Sequence, residues 1–424
     1  MMRRLYTFFF YLILPLILIR LLYKSRHNPQ YRARWKERFG YFKAPTQTGA
    51  FWIHAVSVGE TVAVAPLVKA LQQRYPHMPI MMTCMTPTGS ERIQALFGSG
   101  VFHVYLPYDY PGAIRRFLKK TKPAALILME KELWPNLLHY TAKQQIPILL
   151  ANACLPERSY RRYRRIPQLA STLLPSITVI AAQSDADASR FIALGMPAIR
   201  VTQTNSLKFD IELAEDLLSK GQVLKTDCFQ NRPVLIAAST HEEEEAMILE
   251  AFTEIRKTIP ELLLILVPRH KERFNTVAKL CEQQGFELVH RTADSPCTQT
   301  TDIYLGNTMG ELPLLYAASD IAFVGGSLVP VGGHNPLEPA ALSKPVIMGK
   351  HDLNCRHIVQ VLIACGGLKQ VNTVAELIEG CVAWLSHPQE QARAGKQAYQ
   401  TVMTHRGALE KHLKIIEKLL LKAE

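Results

Sequence analysis

The chain has 424 residues, 48% of them hydrophobic and 20% charged, which excludes a disordered protein and leaves room for two or more domains with separate cores. Its net charge of +13 invites a nucleic-acid reading, but residues 1–43 carry ten Lys/Arg against one acid, Glu37. That stretch alone is +9, leaving +4 for the other 381 residues, so nucleic acid is not an expected partner.

The first predicted element is the apolar run LYTFFFYLILPLILI (5–19), set between Arg3/Arg4 and Arg20. No small-x-small cleavage signal follows it; KSRHNPQYRARWKERFG does. Basic residues directly after an apolar segment keep that side cytoplasmic and bind anionic headgroups. Residues 1–24 are therefore read as an uncleaved anchor helix, with an anionic membrane surface as a partner. The α/β cores begin after about residue 45, so removing the anchor is expected to leave a folded protein. A second basic cluster, RSYRRYRR (158–165), adds five arginines. The eight cysteines show no C-x-x-C pair and no metal-type spacing, which suits reduced thiols in a cytoplasmic compartment.

Short apolar runs then alternate with helical patterns. Strands are expected at 50–56, 79–86, 101–106, 124–130, 147–153, 177–182 and 199–204. After a polar stretch at 211–231 the rhythm resumes at 233–239, 262–268, 286–290, 302–305, 320–326 and 345–349. Strand–helix alternation implies parallel sheets covered by helices on both faces. The expected architecture is α/β, with two doubly wound, Rossmann-like domains facing a cleft. Residues 25–210 form the first domain, 211–231 a linker, 232–400 the second domain and 401–424 a carboxyl-terminal helix.

Ligands of open α/β sheets bind outside the carboxyl ends of the strands, so the loops there carry the candidates. HAVSVGET (54–61) follows the first strand. Ser57 and Glu60 have capping-box spacing, and Glu60 is equally placed to act as a catalytic base; both roles are open. MEKELWPN (129–136) ends a buried strand with Glu130 and Glu132, where a carboxylate needs a partner or a cleft. Lys208, in NSLKFD (205–210), is either that partner or a surface lysine.

In the second domain, VPRH (267–270) ends a strand, TMGEL (308–312) opens a helix, and GGHNPLEPAA (332–341) is a glycine-rich turn before another. There Asn335 is expected as N-cap, Pro336 at the first helical position and Glu338 in the first turn. Glycines ahead of a helix start admit a phosphate, so the three loops outline a nucleotide pocket. The D-x-D in SDADASR (184–190) is read as helix capping, and no bound metal or cofactor is expected.

WIHAVSVGE, MEKELWPN, LKFD, VPRHKERF and GGSLVPVGGHNPLEPA occur in the order and places of one family. In these motifs the chain resembles the 3-deoxy-D-manno-octulosonate (Kdo) transferases of lipid A assembly over essentially its whole length. The resemblance implies a GT-B glycosyltransferase that moves Kdo from CMP-Kdo to a tetraacylated lipid A precursor with inversion, at the cytoplasmic face of a bacterial inner membrane. It implies that Glu60 is the general base and that Glu130 and Lys208 stabilise the transition state. It also implies that CMP is held by Pro268 and Arg269, by Met309, Gly310 and Glu311, and by Asn335, Pro336, Leu337 and Glu338, and that the last helix crosses back to the first domain. One departure is Asn205, where the family pattern has glycine before SLKFD; asparagine tolerates the left-handed backbone such a turn needs. The rival readings are another GT-B enzyme using a UDP-sugar, a sugar-nucleotide epimerase, and a catalytically silent membrane-docking module.

Overall fold

The computed structural model describes residues 2–27, 29–293 and 295–421; the outermost residues of the expected anchor and tail, 1 and 422–424, lie outside the described residues. The chain forms two compact units, one running to Asp210 and including the residues from Arg406 on, the other covering Ile211–His405.

The first unit is built on seven parallel strands: β1 (Phe51–His54), β2 (Ile80–Cys84), β3 (Phe102–Tyr105), β4 (Ala125–Met129), β5 (Ile148–Ala153), β6 (Val179–Ala182) and β7 (Val201–Gln203). Their order across the sheet is 3-2-1-4-5-6-7. Every residue of β1, β2, β4 and β5 is buried. That is why these strands read as continuous apolar runs rather than as alternating ones. The order reverses between the neighbours β1 and β4; the helix start after β1 carries Glu60 and the loop after β4 carries Glu130.

One face of this sheet packs against the helix Val58–Arg74 and the last helix, Ala408–Leu420, through residues such as Phe51, Ile127, Leu413 and Ile416. The last helix is not continuous with the one before it, which ends at His405. Gly407, at φ 93°, turns the chain, and both Gly407 N–H and Leu409 N–H donate to the Asp210 carboxylate at 2.6 Å. The expected single helix over 401–424 is thus two helices with a cap between them.

The second unit has β8 (Val234–Thr240), β9 (Leu263–Pro268), β10 (Leu288–His290), β11 (Ile303–Leu305), β12 (Ile321–Val324), β13 (Val346–Gly349) and β14 (Leu368–Val371), all parallel, in the order 10-11-9-8-12-13-14. Here too the order reverses beside the first strand, between β8 and β12. β14 was not expected: it is the edge strand, and only its ends, Leu368 and Val371, are buried. The expected linker 211–231 is also corrected. It carries the helix Leu217–Asp227, which belongs to the second unit because Leu213, Leu217 and Leu224 pack on the core around Phe229, Tyr304 and Tyr316. The close approach explains Gly221, where a Cβ would stand 2.4 Å from that of Ala317.

The amino-terminal helix Met2–His27 is long and apolar enough to cross a membrane. It is not a free appendage. Phe10, Leu14 and Ile17, spaced for one helical face, pack against Tyr108, Tyr110 and Ala113 of the first unit, while Leu5, Phe8, Phe9, Leu12, Leu16 and Ile19 are exposed. The helix expected as an anchor outside the cores thus also packs on the first unit along this face.

Candidate active site

In the first unit the structure brings Glu60, Glu130 and Lys208 together. Glu60 sits in the first turn of the helix Val58–Arg74, 9% exposed, and its Oε2 accepts the Val56 N–H at 2.7 Å. Ser57 is the N-cap residue but makes no side-chain cap bond, so the reciprocal capping box expected from the spacing does not form. Burial pushes the Glu60 carboxyl up to about 8; the Val56 bond opposes this, and the neighbouring negative charges of Glu130 and Glu132 add to it. A helix start favours the ionised carboxylate; here desolvation outweighs that effect.

Glu130 takes a left-handed backbone, φ 58°, as the chain leaves β4. Lys208 Nζ lies 3.5 Å from its Oε1. The surface reading of Lys208 is thus set aside. The loop carrying Lys208 is fixed on both sides: Asn205 adopts φ 68°, Leu207 N–H donates to Asn152 Oδ1 at 3.0 Å, and Asp210 caps the last helix. Glu132 accepts the Trp134 indole N–H at 2.8 Å, and burial raises its carboxyl as well.

In the second unit Arg269 follows β9, its N–H bonded to Thr240 O at 3.0 Å and its side chain exposed. Glu338 lies near enough for the Arg269 cation to offset part of the upward push of burial on its carboxyl. Asn335 is one residue outside the expected cap. The helix Leu337–Ala341 has Pro336 at its N-cap, and Asn335 Oδ1 reaches past it to accept the Leu337 N–H at 3.2 Å. Met309 is exposed and Gly310 turns at φ 90°. The Glu311 carboxylate is occupied by the Arg291 guanidinium, which donates to both oxygens at 2.9 and 3.1 Å. Among the described residues no hydrogen bond or ion pair joins residues 309–311 to Arg269 or Glu338.

Two features of this unit escaped the sequence. His241 and His334, after β8 and β12, bring their Nε2 atoms to 2.8 Å with rings stacked, and His270 stands edge-on to His241. Burial, reinforced by Arg269 and the other histidines, lowers His334 to about 4. Each histidine lies in a loop after a parallel strand, which was the available signal. The second feature is Glu244, fully buried, whose carboxylate collects the N–H groups of His241, Gly326, Ser327 and Leu328 at 2.7–3.2 Å and so pins the loop after β12.

In the D-x-D stretch Ser184 caps its helix by accepting the Asp187 N–H, and Asp187 accepts the Leu155 N–H. Among the described residues no group of three or more His, Cys, Asp or Glu side chains is placed to hold a metal ion.

A family model described as "3-Deoxy-D-manno-octulosonic-acid transferase (kdotransferase)" matches residues 33–211. The chain is 44% identical over 424 residues to a 3-deoxy-D-manno-octulosonic acid transferase of Haemophilus influenzae, covering 99% of each chain. It is 36% identical over 388 residues to one of Bordetella pertussis, covering 89% of each. Among solved structures, a UDP-GlcNAc 2-epimerase from Neisseria meningitidis shares the fold at 16% identity and a TM-score of 0.55, over 88% of this chain and all of that one.

Proposed function

The chain belongs to the 3-deoxy-D-manno-octulosonic acid (Kdo) transferases and is a glycosyltransferase of GT-B fold; on that premise we propose that it moves Kdo from CMP-Kdo to a hydroxyl of a tetraacylated lipid A precursor, inverting the anomeric centre. The observation that carries the proposal is Glu60, a buried carboxyl raised to about 8 beside a glutamate–lysine pair. A general base works best with a pKa near the operating pH. In the step, the acceptor oxygen forms a bond to the anomeric carbon as the bond to the CMP phosphate breaks. The hydroxyl proton passes to the Glu60 carboxylate, and the bonding electrons leave with CMP. Single displacement needs one base and no covalent sugar–enzyme adduct, as in inverting hydrolysis.

Lys208 and Glu130, an ion pair at 3.5 Å, are assigned to transition-state stabilisation. Arg269 is assigned to the phosphate, where a charge-assisted bond gains strength as negative charge grows. Glu338 and the backbone of 309–311 and 335–337 are assigned to the nucleoside; Glu311 serves by holding its loop through Arg291. The exposed apolar stripe of the amino-terminal helix, with Arg4, Arg20, Lys24 and Arg26 around it, is assigned to an anionic membrane surface, at the cytoplasmic face of a bacterial inner membrane. Mass analysis of the products from purified protein, CMP-Kdo and tetraacylated precursor tests the reaction. An acceptor gaining the mass of one or more Kdo units is expected; an unchanged acceptor in the presence of intact donor would refute it.

A further inference from the structure

The loop of residues 130–136, which carries Glu130, ends on a helix that cannot cap itself. The helix Pro135–Lys143 has Trp134 at its N-cap, without a side-chain cap bond. Its orphan N–H groups at Asn136 and Leu137 are taken instead by the Asp109 carboxylate, at 2.9 and 2.7 Å, from a separate loop. Asp109 is itself fixed, because Asn136 Nδ2 donates to its backbone carbonyl at 2.7 Å. Both residues are buried, Asn136 completely.

What completes this network is the amino-terminal helix. Arg3 Nη1 donates to Asn136 Oδ1 at 2.9 Å, and Asn136 Nδ2 donates to Thr7 Oγ1 at 3.0 Å. Arg3 also bears electrostatically on the Asp109 carboxylate. The Thr7 hydroxyl also lies 2.8 Å from Arg3 O and 3.1 Å from Asn136 Oδ1, so it can give its proton to either while it accepts from the amide. Arg3, Thr7, Phe10, Leu14 and Ile17 recur at helical spacing, so polar and apolar contacts share one face. A fully buried amide with every donor and acceptor used has one orientation; without the helix its oxygen has no partner.

We propose that Thr7 and Arg3 are positioning residues for sugar transfer: through Asn136 and Asp109 they lock the start of the helix Pro135–Lys143 and thereby the loop bearing Glu130. The anchor helix is then a part of the scaffold of the site as well as a tether. This rests on the assignment of Glu130 made above, and the test separates the two. The loop is held at both ends, by the Asp109–Asn136 network at one and at the other by the backbone bonds of Glu130, whose N–H is bonded to Ala151 O and whose O accepts Cys154 N–H. Releasing one end displaces Glu130 relative to Lys208, and a misplacement on the order of 1 Å can cost up to about 10²-fold in rate.

The experiment uses the full chain, with vesicles containing phosphatidylglycerol. Thr7→Val is expected to lower kcat about tenfold. The KM for CMP-Kdo and the vesicle-bound fraction stay unchanged, and Thr7→Ser keeps wild-type kcat. In an Asn136→Leu background Thr7→Val adds nothing, because the hydroxyl acts only through that amide. Where Asn136→Leu does not fold, the Thr7 pair and the donor KM still decide. A Thr7→Val protein with a lowered melting temperature but unchanged kcat overturns the proposal, and so does a loss of kcat that tracks a loss of vesicle binding. Glu130→Gln, measured in parallel, isolates the premise: if it retains turnover the assignment of Glu130 fails, whereas a dead Glu130→Gln beside a normal Thr7→Val refutes the positioning role alone.

Discussion

Glu60 and Glu311 stand in similar places, each near the first turn of a helix that follows a parallel strand, one in each unit, and their carboxyls are driven in opposite directions. Glu60 is desolvated, receives one backbone N–H and has two other glutamates nearby, so it rises to about 8. Glu311 is gripped by both arms of Arg291 and lies below the usual carboxylate range. The difference separates two kinds of acid. A carboxylate with a dedicated guanidinium is a structural strut that stays ionised, while one buried without a hydrogen-bonded cation is poised to exchange a proton near neutral pH.

The strongest way to break this comparison is to neutralise each glutamate in turn. Glu60→Gln keeps the acceptor for the Val56 N–H but cannot take a proton, so turnover should fall by roughly 10²–10⁴ with CMP affinity unchanged. Steady-state transfer and calorimetry with CMP check this; near-normal turnover would return the residue to a purely structural role. Arg269→Gln comes next. It removes the cation assigned to the phosphate and should weaken CMP binding by roughly 10–10²-fold, in the presence or absence of a chelator. Equal affinity for CMP in both proteins would place the phosphate elsewhere, and tighter binding of UMP than CMP would favour the UDP-sugar reading.

A smaller effect sharpens the contrast through stability. The folded-state pKa of Glu60 lies above the unfolded value, so the folded protein binds its proton more tightly. Its contribution is fully present at acid pH, below about 4.5, and is lost as pH rises through about 8. Wild type should therefore lose stability relative to Glu60→Gln across that window, read as the difference in urea midpoint at each pH. A difference independent of pH would mean the carboxyl is not desolvated. The smallest effect concerns the cap that closes the Lys208 loop: Asp210→Ala should cost about 1–2 kcal/mol in urea unfolding, since it leaves Gly407 N–H and Leu409 N–H without their acceptor.

The alternation of parallel strands was legible because strands buried on both faces are written as apolar runs, and β14 was missed because its two middle residues, Lys369 and Gln370, are polar and not buried. Glu60, Glu130, Lys208 and Arg269 were legible as residues in strand-end loops. Their surroundings were not. The fork of Arg291 on Glu311 joins residues 20 apart, the pairing of His241 with His334 spans 93, and Asp109 caps a helix start 27 residues away. No local spacing records such partners, since only the folded sheet brings their loops together. The same holds for the amino-terminal helix. Its hydropathy announced an anchor, but the docking of Thr7 on Asn136 depends on a residue 129 positions on.

The central claim is that burial makes Glu60 the base, and the pH dependence of kcat/KM for the acceptor tests it most directly, because this parameter reports groups of the free enzyme. The account expects a rise with increasing pH that levels off near 8 in the wild type, and a low, flat profile over the same range in Glu60→Gln. A limb that levels off near 4.5, or one that persists in Glu60→Gln, would contradict it.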